Sequence, residues 1–168
     1  MRFQGDQTIE APRERAWAFL TDSHRITRCA PDVQSLKVVD DRRFLVGVRA
    51  GVGPIKGTFT CAVMWLERDA PERARVQARC KIPGSTVDLM TVMTLTDPGD
   101  GRTLLHWESD VQISGLLAGL SGPFIQGAAD AVLERVFACV NEQLRGPASA
   151  GAAPPGEAPA RRRAGEVS

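Results

Sequence analysis

Leu105-His106-Trp107-Glu108-Ser109-Asp110-Val111-Gln112-Ile113-Ser114-Gly115 alternates in character from one residue to the next, and directly beyond it the period changes. Leu117, Leu120, Phe124, Ala128, Val132, Val136, Val140 and Leu144 recur at spacings of three and four, a stripe widened by Ile125, Leu133 and Phe137. A period of two sends successive side chains to opposite faces of a sheet, whereas a period near 3.6 gathers them on one face of a helix. A strand therefore feeds a long helix through Gly115, and the apolar stripe of that helix needs a sheet to cover. Gly119, Gly122, Pro123 and Gly127 disturb its start, so regular helix is expected from near Pro123, with Leu116 to Gly122 as a looser apolar lead-in.

Working outward, the clearest alternation is Arg73-Ala74-Arg75-Val76-Gln77-Ala78-Arg79-Cys80-Lys81-Ile82, polar at every odd position and apolar at every even one. Val87, Leu89, Met93 and Leu95 share one face of the next strand, and Pro98-Gly99-Asp100-Gly101 supplies its turn. Upstream, Phe59, Cys61, Val63 and Trp65 share a face, as do Phe44, Val46 and Val48, with Gly51 to Gly57 as turn or bulge chemistry between them. Val33 to Val39 adds another strand and Arg2 to Ile9 the first. Between those two, Pro12 opens a short helix over Trp17 and Leu20, and Asp22 or Ser23 caps a second that Pro31 stops. The fold class is α+β: a curved antiparallel sheet of about seven strands, two short helices and a long C-terminal helix.

Bulk properties exclude several functions. Among 168 residues, 21 Lys+Arg balance 20 Asp+Glu, so the electrostatic footprint of a nucleic-acid binder is missing. No apolar run approaches the roughly 18 residues of a membrane span, and Met1-Arg2-Phe3-Gln4-Gly5-Asp6 lacks a signal peptide's apolar stretch, so a cytoplasmic protein is expected. Cys29, Cys61, Cys80 and Cys139 are scattered without metal spacing and read as free thiols acting as small hydrophobes. With only His24 and His106 beside them, no metal site is expected. One domain over residues 1–144 is expected, and 145–168, rich in Gly, Ala and Pro with Arg161-Arg162-Arg163, reads as a disordered tail.

No catalytic constellation emerges. Asp88, His106, Glu108 and Asp110 lie on strands with the parity opposite to Leu89, Trp107 and Val111, which puts them on the solvent side. The small inward residues Ala74, Ala78 and Cys80 leave room on a concave sheet face, opposed by Phe124, Ala128, Ala131 and Val132 of the long helix.

Several local stretches carry a family likeness: Ala11-Pro12-Arg13-Glu14-Arg15-Ala16-Trp17-Ala18-Phe19-Leu20-Thr21-Asp22, Cys29-Ala30-Pro31-Asp32-Val33, Val52-Gly53-Pro54-Ile55-Lys56-Gly57-Thr58-Phe59, Leu105 to Val111 and Ser114-Gly115-Leu116-Leu117-Ala118. Together with the element order they resemble the CoxG branch, named for the G subunit of carbon monoxide dehydrogenase, of the START, or SRPBCC, superfamily of helix-grip folds. The resemblance implies a pocket between sheet and helix for a quinone- or lipid-like molecule. It also implies an accessory, non-catalytic role beside a molybdenum hydroxylase of the carbon monoxide dehydrogenase type, linking it to the membrane or quinone pool at the inner face of the cell membrane. No metal or covalently bound cofactor is expected, only a bound quinone or lipid. The expected walls are Trp17, Phe59, Trp65, Val76, Ala78, Cys80, Leu89, Met93, Trp107, Phe124, Ala128 and Val132, with Leu116, Leu117 and Leu120 as an entrance lip. A polyketide cyclase- or hydratase-like enzyme, and a docking protein without ligand, are the rival readings. On the lip reading, replacing Leu116 and Leu117 by Ser slows ligand uptake from vesicles with little loss of stability, and unchanged uptake would refute it.

Overall fold

The computed structural model describes residues 1–52 and 55–145. Its elements run β1 (Arg2–Ile9), α1 (Arg13–Leu20), α2 (Ser23–Cys29), β2 (Val33–Val38), β3 (Arg43–Val52), β4 (Ile55–Asp69), β5 (Arg73–Ile82), β6 (Ser85–Thr96), β7 (Thr103–Gly115), a single 3-10 turn (Leu116–Gly119) and α3 (Gly122–Arg145). This is the order expected from periodicity. The expected tail lies outside the described residues from position 146 onward, as do Gly53 and Pro54 of the expected turn.

All seven strands join one antiparallel sheet in the order β1-β7-β6-β5-β4-β3-β2. Register shifts between Val33 and Ser35 and between Trp65 and Glu67 are bulges, which bend a strand locally and increase its twist. The chain crosses from β1 at one edge to β2 at the other through the two short helices. Asp22 caps the second of these, its Oδ1 accepting from the backbone N–H of His24 at 2.9 Å and of Arg25 at 3.2 Å.

The main core gathers at one end of the sheet. Trp17, Phe19 and Leu20 of α1 meet Phe44, Trp65, Ala74, Leu95 and Leu105 of the strands, with Val140 and Leu144 of α3 closing over them. A second, smaller cluster centres on Ile82 and Leu117, with Phe59, Val87, Ile113 and Leu120 packed around it. The long helix is fastened to the first cluster by its last turns. Asn141 accepts from the N–H of Glu10 at 3.0 Å and donates to the carbonyl of Thr8 at 3.2 Å, while Arg15 donates to the carbonyl of Leu144 at 2.8 Å. The arginine satisfies one of the carbonyls that a helix end leaves open.

The cysteines require a correction. They are not free thiols: Cys29 is joined to Cys139, and Cys61 to Cys80. Spacing along the chain conceals this, because the first pair is separated by 110 residues and forms only when α3 lies across α2. The second pair consists of residues directly opposite each other on β4 and β5, and such adjacency follows from register alone.

Two glycines hold tight approaches. A Cβ on Gly5 would stand 2.9 Å from the indole of Trp107, which lies across β1 at that point. Gly115 has φ of 87°, in the left-handed region that favours glycine, and turns the chain from β7 into the 3-10 segment against Gly84 and Ser85.

Because α3 is secured at its C-terminal end, truncations along it should differ in cost. Leu144→Ala is expected to lower stability by about 2–5 kcal/mol in urea unfolding, as for a buried leucine. Val132→Ala, at a position 47% exposed, should stay within about 0.5 kcal/mol.

Candidate functional site

Between the two clusters the sheet and α3 do not touch closely, and the gap is a cavity of about 530 Å³. That volume falls within the range of roughly 300–1,000 Å³ usual for small-molecule sites. Its floor is built by side chains projecting inward from β6 and β7, which pair as Val87–Ile113, Leu89–Val111, Thr91–Ser109 and Met93–Trp107. Phe59, Cys80 and Ile82 add one wall, and Phe3 and Leu20 another. Ile125, Ala128, Ala129, Val132, Leu133 and Phe137 of α3 form the roof. Leu117, 3% exposed, lines the cavity at the smaller cluster.

The lining is almost wholly apolar. Its polar members are Thr91, Ser109 and Gln126, whose amide donates to Asp130 at 2.8 Å one turn along the helix, and Trp107, whose indole N–H is buried without a hydrogen-bond partner among the described residues. The hydroxyls of Thr91 and Ser109 stand 2.8 Å apart. No ionisable side chain is among the lining residues, since Cys80 is held in its disulfide.

The acidic and histidine candidates on the strands point outward. Asp88 pairs with Arg79, and Asp110 with Arg2 at 3.2 Å. His106 is hydrogen-bonded to Asp6 at 2.8 Å and to Glu108 at 3.2 Å. Those bonds, the one to Asp6 foremost, hold its pKa above the ordinary histidine value by favouring the charged ring. Among the described residues, no group of His, Cys, Asp and Glu side chains could hold a metal ion.

The expected wall residues divide by where along the strands they sit. Phe59, Cys80, Leu89, Met93, Trp107, Ala128 and Val132 line the cavity, as does Leu117 of the expected lip. Trp17 and Trp65 do not line it; they are buried in the main core, against which Val76 packs. Ala78 is buried without reaching the cavity wall, and Ala74, fully buried, makes room for protein rather than for ligand. Parity identifies the inward face, but only the position of α1 decides which inward residues it covers.

Phe124 is 44% exposed and lies outside the lining, because it falls on the first turn of α3, beyond the roof. The lip residues separate as well. Leu116 is exposed and rests over Gly84, while Leu120 packs onto the Ile82–Leu117 cluster. The lead-in is tied at its base, the N–H of Leu117 donating to Ser85 Oγ at 2.8 Å and that of Leu116 to the Gly84 carbonyl at 2.9 Å. Leu117 is thus a structural plug, and serine there would bury a polar group in an apolar cluster. A double replacement of Leu116 and Leu117 therefore carries a stability cost that the sequence alone does not reveal.

Residues that sequence reasoning misses include Phe3, Leu20, Thr91, Ser109 and Phe137. Thr91 and Ser109 are legible by parity, between Leu89 and Met93 and between Trp107 and Val111. They carry no apolar signal to mark them as inward.

Comparison with known proteins agrees with this architecture. Among solved structures, a conserved protein from Geobacillus kaustophilus superposes with a TM-score of 0.82 at 16% identity, covering 86% of this chain and 95% of its own. A START superfamily protein from Mycobacterium smegmatis gives 0.65 at 12% identity, covering 86% and 97%. A protein from Thermus thermophilus gives 0.64 at 17%, with coverage of 86% and 97%. At such identities the likeness concerns the fold, which is the START-type helix grip. No curated protein matches the chain. The family model for CoxG, the G subunit of carbon monoxide dehydrogenase, matches residues 5–145, and the chain belongs to that family.

Proposed function

We propose that this protein binds a hydrophobic small molecule, quinone- or lipid-like, in the cavity under α3 and carries it without chemical change. The observation that supports this most directly is the lining itself. A 530 Å³ space walled by apolar side chains, with no ionisable group on its surface, solvates a hydrocarbon body and offers no acid or base at hydrogen-bond reach of it. The family's description supports a setting beside carbon monoxide dehydrogenase. We therefore read the chain as an accessory to a molybdenum hydroxylase of that type, moving its ligand between the enzyme and a membrane or quinone pool.

Peripheral contact with the membrane belongs to the same reading. Among the described residues no helix is long and apolar enough to cross a bilayer. Leu116 and Phe124, both exposed, flank in sequence the segment whose Leu117 lines the cavity. Single apolar side chains of this kind can dip into lipid beside an entrance without anchoring the protein.

Two measurements test the proposal. An organic extract of protein purified from its native host should yield about one equivalent of a prenylated quinone or lipid by mass spectrometry, the stoichiometry of one site of this volume. An extract without ligand, together with turnover of an aromatic or polyketide-like substrate, would favour an enzyme instead. Leu116→Ser should slow uptake of ubiquinone from phosphatidylglycerol-containing vesicles several-fold while leaving Tm within about 2 °C, as for a surface replacement. Undiminished uptake would remove Leu116 from the entrance.

A further inference from the structure

Five successive inward-facing pairs run along β6 and β7: Val87–Ile113, Leu89–Val111, Thr91–Ser109, Met93–Trp107 and Leu95–Leu105. Four are apolar and the central one is a pair of hydroxyls. It is also framed sideways by apolar residues, since Val76 faces Thr91 across β5 and Phe3 faces Ser109 across β1. Valine and alanine would fill the same space without placing oxygen in a low-dielectric cavity.

We propose that the Thr91–Ser109 pair is a specificity determinant: a hydrogen-bonding anchor that selects apolar ligands bearing a carbonyl or hydroxyl group and seats that group at mid-floor. The inference rests on the carriage reading above and specifies what the cavity discriminates. Each hydroxyl supplies one donor and two acceptor positions. Their mutual bond, 2.8 Å between oxygens, uses one donor and one acceptor, and among the described residues neither oxygen has a second protein partner. One O–H and three lone-pair positions remain without a protein partner, on two residues that line an otherwise largely apolar cavity. A ligand carbonyl takes the free proton, and a ligand hydroxyl can donate to a lone pair. A plain hydrocarbon does neither. Gln126 gives one amide N–H to Asp130 and is exposed on the roof helix, whereas the floor pair sits at the centre of the apolar lining.

The test compares two probes of the same ring skeleton, menadione with its two carbonyls and methylnaphthalene with none, by equilibrium dialysis against the full chain. Wild-type protein should bind menadione more tightly. In the Thr91→Val/Ser109→Ala double variant the menadione Kd should rise about tenfold, equivalent to about 1.4 kcal/mol, while that of methylnaphthalene changes less than about twofold. Thr91→Ser, which keeps both hydroxyls, should retain the preference. Each single replacement, Thr91→Val or Ser109→Ala, should lower the ratio of the two affinities, so the result does not depend on the double variant folding. Equal changes for both probes, or an unchanged menadione Kd, would overturn the anchor while leaving carriage intact. Failure of wild-type protein to bind either probe would overturn both.

Discussion

The structure depends on an asymmetry in how one helix is fastened. An amphipathic helix of this length laid across a sheet would normally bury its stripe from end to end, because each apolar side chain withdrawn from water contributes about 1.5–3 kcal/mol. Here burial is concentrated in the last turns, where Val140 and Leu144 enter the main core and Cys139 and Asn141 tie the helix to α2 and β1. The first half is held off the sheet, and Leu117, packed on Ile82, lines the gap. The core therefore stabilises the domain at one end and leaves space at the other.

That division decides what each inward residue does. Leu95, at the end covered by α1, is completely buried; its partner Leu105, 2% exposed, already lines the cavity, and Met93 and Trp107 on the next pair face it. The change from packing to cavity lining is complete within one step along the ladder, two residues on each strand. Trp107 belongs to both: it packs against the core and over Gly5 while presenting a surface to the cavity. Its position there requires the glycine, since any side chain at position 5 would meet the indole.

Much of the architecture is legible because it follows from local periodicity. Alternation from Arg73 to Ile82 identifies an amphipathic strand, and the change of period at Gly115 identifies the helix and the irregular turn before it. Parity also places Asp88, His106, Glu108 and Asp110 outside. What cannot be read is whatever depends on long-range placement. Nothing in the spacing of Cys29 and Cys139 predicts that they meet, and nothing in the sequence around Trp17 says that α1 covers Trp65 and Ala74 rather than lying beyond them. Family resemblance supplies the idea of a pocket, but it does not say which end of the strands the pocket occupies. Thr91 and Ser109 escape notice for another reason: a search for apolar inward residues passes over the very positions where a mostly apolar cavity carries its polar chemistry.

A carrier that exchanges ligand with a membrane faces a constraint that a water-facing binder does not. Moving a hydrocarbon body from lipid into an apolar cavity exchanges one nonpolar medium for another, so the hydrophobic effect, which acts against water, contributes little to the transfer. Close packing can favour the protein, but it does so for any body of similar shape. Direction and selectivity must come from contacts that lipid tails cannot provide. On the anchor proposed above, the hydroxyl pair at the centre of the floor would supply such contacts, because a hydrogen bond made in a medium poor in competing partners is worth more than one made in water. A modest bond suits the purpose better than a charge. An ion pair would hold the ligand too firmly for release and would impose the desolvation cost of an ionised group in an apolar chamber. On the carriage reading proposed above, hydroxyls suffice for a ligand that has to be released again.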